Sequence, residues 1–246
     1  MKVAIVGMGN MGTALYESFG DDLIAIKRGD DFEVVKDASQ IWLCVKPLQL
    51  TEVLQELKKF IREDQLVVSI VAGKKIASIK KELGTNHPVV RVMPNTPLLV
   101  GYGMSGWVCS CEVTATQKSA VKKLLMAVGE EIEFGDEGWI DKVTAISGSG
   151  PAYFFATIEA LLVGANSLGF SDDEATQLVR QTFMGAAQLL KQTGKSAKEL
   201  REMVTSKGGT TEAALKVLKD KRFEEIWLVA VRAAHKRCYD LGKETK

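Results

Sequence analysis

The sequence is short of the residues that build metal centres and disulfide frameworks. Among 246 residues there are four cysteines and two histidines. Cys44, Cys109, Cys111 and Cys238 contain no C-x-x-C pair, and His87 and His235 lie far from all of them. That spacing excludes a zinc site and a disulfide scaffold, so no metal is expected. The cysteines read as buried thiols of a reducing compartment, and the expected location is the cytoplasm. An excess of either charge is missing too: Lys and Arg total 32 and Asp and Glu 31, a net charge of 32 − 31 = +1. Such a balance offers no general attraction to nucleic acid or to an anionic membrane, and neither is expected as a partner. No run reaches the roughly 18 uncharged apolar residues that suggest a membrane span. The opening Met1-Lys2-Val3-Ala4-Ile5-Val6-Gly7 has a basic start, but its apolar run stops too early for a signal peptide. The chain is therefore expected to begin with structure. With 46% hydrophobic and 26% charged residues, disorder and fibrous architectures are excluded as well.

What is present changes character along the chain. Up to about Phe134, apolar runs at residues 3–6, 23–26, 41–45, 66–71 and 89–93 look like strands buried on both faces. Amphipathic stretches at 13–19, 48–60 and 76–83 lie between several of them, the alternation of βαβ units around a parallel sheet. After Phe134 strand signals stop. Ser171-Asp172-Asp173-Glu174 and Ser196-Ala197-Lys198-Glu199 are capping boxes that open helices. A last helix is expected over 223–241, with Gly242 placed to end it. The fold class that follows is an α/β domain, doubly wound around a mostly parallel sheet, over residues 1–134. An all-α domain follows over residues 135–246.

One helical stretch in the second domain is unusual. From Ala152 to Leu168 the only charged residue is Glu159, and large apolar residues occur all round. A helix apolar on every face must be buried on every face. Either it is the central helix of a single-chain bundle or a second subunit covers it. A domain of this size with few helices can hardly enclose it, which favours a homodimer built through the helical domain.

Three glycine-rich segments carry the chemistry. Gly7-Met8-Gly9-Asn10-Met11-Gly12 directly follows the first strand and opens a helix, the context in which G-x-G-x-x-G binds a dinucleotide. Gly7 permits the tight turn, Gly9 lets backbone approach the pyrophosphate, and Gly12 allows close helix–strand packing. The alternative is a turn that needs glycine for geometry only; the strand before and the α/β pattern after favour the dinucleotide. At the end of the second strand, Lys27 and Arg28 suit the 2′-phosphate of NADPH, while Asp30 and Asp31 nearby leave the ribose diol of NADH possible. Cys44-Val45-Lys46-Pro47 and Met93-Pro94-Asn95-Thr96-Pro97 end two further strands on the side where such folds bind ligands. Pro47 can equally open the next helix, and Pro94 and Pro97 can merely stop a strand. In the second domain lie Ser147-Gly148-Ser149-Gly150-Pro151 and Thr205-Ser206-Lys207-Gly208-Gly209-Thr210-Thr211. Consecutive N–H groups from a glycine turn at a helix start make a carboxylate-sized anion site, although either segment could be a plain turn.

Together these segments resemble a known family. Residues 143–153, Gln181-Thr182 with Gly185-Ala186-Ala187, Leu200-Arg201 and residues 204–211 are similar to the signature of pyrroline-5-carboxylate reductase. The Gly7–Gly12 turn, Val45-Lys46-Pro47, and Arg91-Val92-Met93-Pro94-Asn95-Thr96-Pro97 followed by Val100-Gly101 resemble the first half of the same family. The resemblance covers nearly the whole chain, in order. It implies a Rossmann-type first domain and a helical dimerisation domain. It further implies reduction of 1-pyrroline-5-carboxylate by NADPH or NADH to L-proline, the last step of proline biosynthesis. The partner expected from it is a second copy in an intertwined homodimer, assembled in some members into a decamer. Carried over residue by residue, it implies cofactor contacts at Met8, Gly9, Asn10, Met11 and Gly12, at Cys44, Val45, Lys46 and Pro47, at Val92, Met93 and Pro94, and at Glu137. Substrate contacts are implied at Ser206, Gly209, Thr210 and Thr211. The sequence departs from the pattern where Lys207 stands in place of the usual proline and Cys44 in place of the usual alanine, and Asp31 falls near a position often held by asparagine.

The chemistry agrees with what is missing. A cyclic imine can already carry a proton on nitrogen, so hydride addition to carbon needs positioning more than a strong base. A hydroxy-acid dehydrogenase would want a His or Lys for the alcohol proton, and neither His87 nor His235 lies in a motif. The Thr211 hydroxyl is the expected catalytic group, hydrogen-bonding the ring nitrogen. A related imine or 3-hydroxy-acid reductase of different substrate is the second reading, and a dinucleotide-sensing module without turnover the third.

Overall fold

The computed structural model describes residues 2–84 and 87–243. The chain forms two compact units, one made of Met1–Pro151 with Val231–Lys246, the other of Ala152–Ala230.

The first unit is built on β1 (Val3–Val6), α1 (Asn10–Ser18), β2 (Leu23–Ile26), β3 (Gln40–Leu43), α2 (Leu50–Leu57), β4 (Leu66–Ser69), α3 (Ile76–Leu83), β5 (Val89–Met93), β6 (Gly103–Cys109), α4 (Ala115–Ala127), β7 (Gly129–Glu133) and α5 (Gly138–Val143). The strands make one sheet in the order β2-β1-β3-β4-β5-β6-β7. Every pairing is parallel except β5 with β6. Alternate side chains face opposite layers, as a pleated strand requires. Ala4, Val6, Ile41, Leu43 and Val67 pack under Leu50, Leu54 and Leu57 of α2 and Ile79 and Leu83 of α3. Val3, Ile5, Trp42, Val68 and Val90 pack under Ala14 and Leu15 of α1 and Val121 and Leu125 of α4. Helices therefore cover both faces, and the doubly wound, mostly parallel sheet expected from the sequence is the observed one. Because β2 and β3 flank β1 on opposite sides, the strand order reverses at β1. Such reversals are where these folds bind ligands, at the carboxyl ends of the strands.

Several elements differ from expectation. β2 is only partly buried along most of its length, since it is the sheet edge. β6, α4 and β7 left no clear pattern in the sequence. β6 contains two glycines, and a Cβ at Gly106 would come within 2.8 Å of the Val143 side chain, so close packing took the place of a bulky strand residue. β7 is an edge strand of mostly carboxylates: Glu131 accepts from the Trp107 indole at 2.5 Å and Glu133 pairs with Lys118 at 2.5 Å. The composition shift at residue 134/135 also falls inside the first unit. α5 belongs there because Asp141 and Glu137 pair with Arg91 of β5. Gly242 does not end the last helix, α10, which runs over Phe223–Lys243. A Cβ at Gly242 would lie 2.6 Å from the Gly73 carbonyl oxygen, so this glycine serves a backbone-to-backbone contact.

The Ser147-Gly148-Ser149-Gly150 segment is not an open loop: it joins two helical pieces, with Ser149 as the bend between them. Thr144–Gly148 forms a π-helical turn after α5, and α6 (Gly150–Ser167) follows it. In the second unit, α7 (Asp172–Thr193) and α8 (Ala197–Met203) begin at the two expected capping boxes, with Ser171 and Ser196 as N-caps. α9 (Thr210–Asp220) and the start of α10 complete it. The apolar side chains of α6 are not enclosed by one chain: Phe154, Phe155, Leu161 and Val163 are 54%, 60%, 53% and 71% exposed. The helical stretch Gly138–Ser167 is long and apolar enough to cross a membrane by length and composition.

Candidate active site

The Gly7–Gly12 turn leaves the sheet at the strand-order reversal. Val6 is in register with Ile26 of β2 and Leu43 of β3, and Leu43 with Ser69 of β4. Gly7, Lys27 and Cys44 therefore depart from one edge at one level. Gly7 adopts φ +97°, and a Cβ there would meet the Val45 side chain at 2.7 Å and the Cys44 carbonyl at 2.8 Å. A Cβ on Gly12 would fall inside the Gly7 carbonyl. Both glycines are thus required by the fold. Gly9 is not: a Cβ on it would meet nothing within 4 Å. Gly9 is the N-cap of α1, with no side-chain cap and no acidic residue in the first turn. The first helical bond runs from Thr13 N–H to the Gly9 carbonyl at 2.8 Å, which leaves the N–H groups of Asn10, Met11 and Gly12 ahead of it. Open space in front of free N–H groups at a positive helix end is what a pyrophosphate needs.

The other expected cofactor positions line the same edge to differing degrees. Lys27 and Arg28 are exposed and make no ion pair among the described residues. The carboxylates that could have taken a ribose diol are engaged: Asp30 accepts the Lys27 N–H at 2.7 Å, and Asp31 caps the next turn through Glu33 N–H at 2.8 Å. Cys44 sits under the glycine turn, its Cβ 3.2 Å from where a Gly12 Cβ would be, and burial pushes its thiol up. It is a neutral apolar wall. Val45 is half-buried and Lys46 exposed, while Pro47 opens a 3₁₀ turn, Pro47–Gln49, ahead of α2. Val92 and Pro94 are buried, Val92 within the core, so only Met93 of that trio offers a side chain. Its methyl lies 2.5 Å from where a Gly148 Cβ would stand. That close approach explains the small residue in the π turn.

Sequence reasoning missed the polar scaffold behind this edge. Arg91, 1% exposed in β5, donates to Glu137 at 3.2 Å and to Asp141 at 2.6 Å. Glu137 Oε1 also accepts the Ile76 N–H at 2.8 Å, which leaves Oε2 free of partners among the described residues. Cys238 Sγ lies 3.5 Å from Asp141, and burial pushes its thiol up. Asn95 donates to the Ser147 carbonyl and hydroxyl at 3.2 Å and accepts the Met104 N–H at 2.8 Å, tying the π turn to the end of β5. The signal was available, since a lone arginine in an apolar strand demands carboxylate partners.

In the second unit, Ser206, Gly209, Thr210 and Thr211 form the turn into α9. Gly208 adopts φ +76°. The Gly209 N–H is held by the Ser206 carbonyl at 3.0 Å, and a Cβ on Gly209 would be 2.5 Å from the Ser206 hydroxyl. Gly209 is the N-cap, again without a side-chain cap, and Ala213 N–H makes the first helical bond, to the Gly209 carbonyl at 3.2 Å. The N–H groups of Thr210, Thr211 and Glu212 lie ahead of it. They, rather than those of Gly208 and Gly209, are the open donors. Thr211 is half-buried and does not cap the helix. Among the described residues no cluster of metal ligands occurs.

Residues 137–241 match a family model described as pyrroline-5-carboxylate reductase dimerisation. The chain is 43% identical over 212 residues to pyrroline-5-carboxylate reductase of Pseudomonas aeruginosa, covering 86% of this chain and 78% of that one. Among solved structures, a pyrroline-5-carboxylate reductase from Coxiella burnetii superposes with TM-score 0.89 at 34% identity, over 98% of both chains. Plasmodium falciparum pyrroline carboxylate reductase, solved with NADP bound, superposes with TM-score 0.91 at 28% identity, over 98% of both chains.

Proposed function

The chain belongs to the pyrroline-5-carboxylate reductase family, and on that premise we propose that it reduces 1-pyrroline-5-carboxylate to L-proline with NADPH. The observation that carries the reading is the glycine turn: the fold closes around Gly7 and Gly12 but leaves the space in front of Gly9 open. The residues present fit a dinucleotide. The N–H groups of Asn10, Met11 and Gly12 hold the pyrophosphate, and Lys27 and Arg28, which make no ion pair among the described residues, hold the 2′-phosphate. Cys44, Val45, Lys46 and Pro47 line the path beyond, with Met93 at the end of β5 and with Glu137, which is held by Arg91 of the same strand. When bound, the cofactor supplies a hydride.

The turn into α9 takes the imine. The N–H groups of Thr210 and Thr211, with the Ser206 hydroxyl, hold its carboxylate, and Gly209, whose own N–H is taken by the Ser206 carbonyl, shapes the turn that presents them. The Thr211 hydroxyl hydrogen-bonds the ring nitrogen. Hydride addition to the carbon of the N-protonated imine sends the π electrons to nitrogen, which keeps the proton it already carries and becomes the amine. No general base is required, in keeping with the lack of a histidine in either turn. Fixing the carbon and orienting the nitrogen supply the proximity and orientation on which such a step depends.

The exposed apolar faces of α6 support a homodimer formed through the helical region, which is also where the dimerisation model matches. The same partner accounts for the membrane-like apolarity of that helix without a membrane. Assembly onward to a decamer rests on the resemblance alone, and the cytoplasm on four free cysteines. The test is NADPH absorbance at 340 nm on adding pyrroline-5-carboxylate, beside piperideine carboxylate and a 3-hydroxy acid. Turnover of the five-membered imine at least tenfold above the others is expected. Preference for either of the others would replace this substrate.

A further inference from the structure

α7 and α8 show the usual reciprocal cap: Glu174 accepts the N–H of the N-cap Ser171 at 2.9 Å, and Glu199 that of Ser196 at 2.8 Å. In both, the third helical residue reaches back to the N-cap itself. α9 also carries a glutamate at that position, Glu212, but its N-cap N–H is already taken, since Gly209 donates to the Ser206 carbonyl at 3.0 Å. Glu212 instead reaches one residue further and accepts the N–H of Gly208 at 2.8 Å. Gly208 is the residue with φ +76°, the left-handed step that turns the chain into α9. The bond therefore pins the least restrained joint of the turn, and an ionised acceptor makes it a strong one.

We propose that Glu212 is a positioning residue for the imine, acting by holding Gly208 in its left-handed turn so that the free N–H groups of Thr210 and Thr211 keep one fixed direction. The inference rests on the reading that this turn holds the substrate carboxylate. Gly208, Glu212, Gly209 and Ser206 all lie within the second unit, so the arrangement stands within one compact body. Glu212 itself is exposed and carries no share of the core. A freed Gly208 would sample other conformations, because glycine adopts positive and negative φ with nearly equal ease. The donors beyond it would then lose their common direction. The carboxylate of Glu212 also adds a negative charge near an anion site, and the exposed ammonium of Lys207, on the neighbouring residue, offsets it.

Glu212→Ala and Glu212→Gln, made in the full chain, separate the possibilities when KM for pyrroline-5-carboxylate, KM for NADPH and Tm are measured on each. The amide oxygen of glutamine can accept the same N–H, whereas alanine cannot. Glu212→Ala is expected to raise KM for the imine tenfold or more with KM for NADPH within twofold of the parent, and Glu212→Gln to return the imine KM to within threefold. An imine KM for Glu212→Ala within threefold of the parent overturns the proposal. So does a rise shared equally by NADPH, or one that glutamine does not relieve, because each is what a merely structural role would give. An active parent with an indifferent Glu212→Ala removes only this role. A parent that leaves NADPH unchanged in the presence of the imine removes the substrate reading along with it.

Discussion

The glycine turn after β1 allows a prediction in which two chemically identical substitutions act oppositely. In Gly12→Ala the new methyl would fall inside the Gly7 carbonyl, with the Cys44 Cβ 3.2 Å away on the other side. Neither neighbour is the end of a flexible side chain, so α1 must shift from the sheet. Overpacking of this kind costs about 1–3 kcal/mol. At about 2–4 °C per kcal/mol for a protein of this size, Tm is expected to fall by about 2–12 °C at fixed protein concentration. In Gly9→Ala the methyl meets nothing within 4 Å, and φ −80°, ψ −170° suits alanine. Loss of a glycine N-cap and reduced freedom of the unfolded chain act in opposite directions, so stability changes by less than about 1 kcal/mol. The methyl does occupy the space assigned to the pyrophosphate. A tenfold weaker complex is about 1.4 kcal/mol. At NADPH equal to 100 times the parent Kd, the cofactor stabilises the parent by about 2.7 kcal/mol and the variant by only about 1.4. Thermal shift with and without NADPH measures both effects at once. If Gly9→Ala keeps the full NADPH-dependent rise in Tm, the open space is not the pyrophosphate site and the cofactor assignment fails.

Other substitutions probe the remaining assignments. Thr211→Val removes one hydroxyl from a residue that caps nothing; kcat/KM for the imine is expected to fall by about 1.5–3 kcal/mol with Tm and NADPH affinity unchanged, and unchanged steady-state kinetics would reject the hydroxyl's role. Replacing Lys27 and Arg28 by alanine is expected to weaken NADPH while leaving NADH nearly unaffected; a parent enzyme that prefers NADH tenfold would contradict the 2′-phosphate contact. Leu161→Asp places a charge on a face that is half exposed in one chain, so dissociation or loss of soluble protein by light scattering is expected, and an intact dimer would refute burial of that face by a partner. Glu112, hydrogen-bonded by Lys80 at 2.6 Å, has its carboxyl held down to about 2. A lowered carboxyl stabilises the fold above its unfolded value near 4.3 and loses that contribution as pH falls toward 2. Glu112→Gln is accordingly expected to flatten the pH dependence of Tm between about 5 and 2, and parallel curves for parent and variant would exclude it.

How legible the fold was depends on how each strand is buried. β1, β3, β4 and β5 are almost fully covered by helices on both faces, so nearly every position is apolar and the runs stand out. β6 and β7 escape that logic. β6 gives up bulk at Gly103 and Gly106 to Leu98 and Val143, which pack where a side chain would be. β7 is the sheet edge, where the carboxylates of Glu130, Glu131 and Glu133 are tolerated and one side has no neighbouring strand among the described residues. The π turn was hidden for a related reason. Small residues at 147–150 suggest a loop when read singly, yet Gly148 is small because the Met93 methyl is against it. A helix can carry such residues when its neighbour supplies the missing volume.

The site was legible where chemistry needs backbone and obscure where it needs long-range pairing. Glycine turns announce themselves locally, because a positive φ or a free helix N-terminus is a property of a few consecutive residues. Arg91 shows the opposite case: its partners Glu137 and Asp141 lie 46 and 50 residues away along the chain. No spacing rule selects those two carboxylates from the rest. What the sequence does contain is the demand, an arginine at the centre of a buried strand, since an unpaired charge there would cost several kcal/mol. The same asymmetry separates the two glycine turns. Around Gly9, strand, turn and helix are contiguous and the cradle follows from the motif. Around Gly208 the turn is contiguous as well, but its restraint comes from Glu212, whose place at the third residue of α9 looked like an ordinary cap. Only the prior claim of Ser206 on the Gly209 N–H sends that carboxylate one residue further, to the joint that fixes how the chain enters α9.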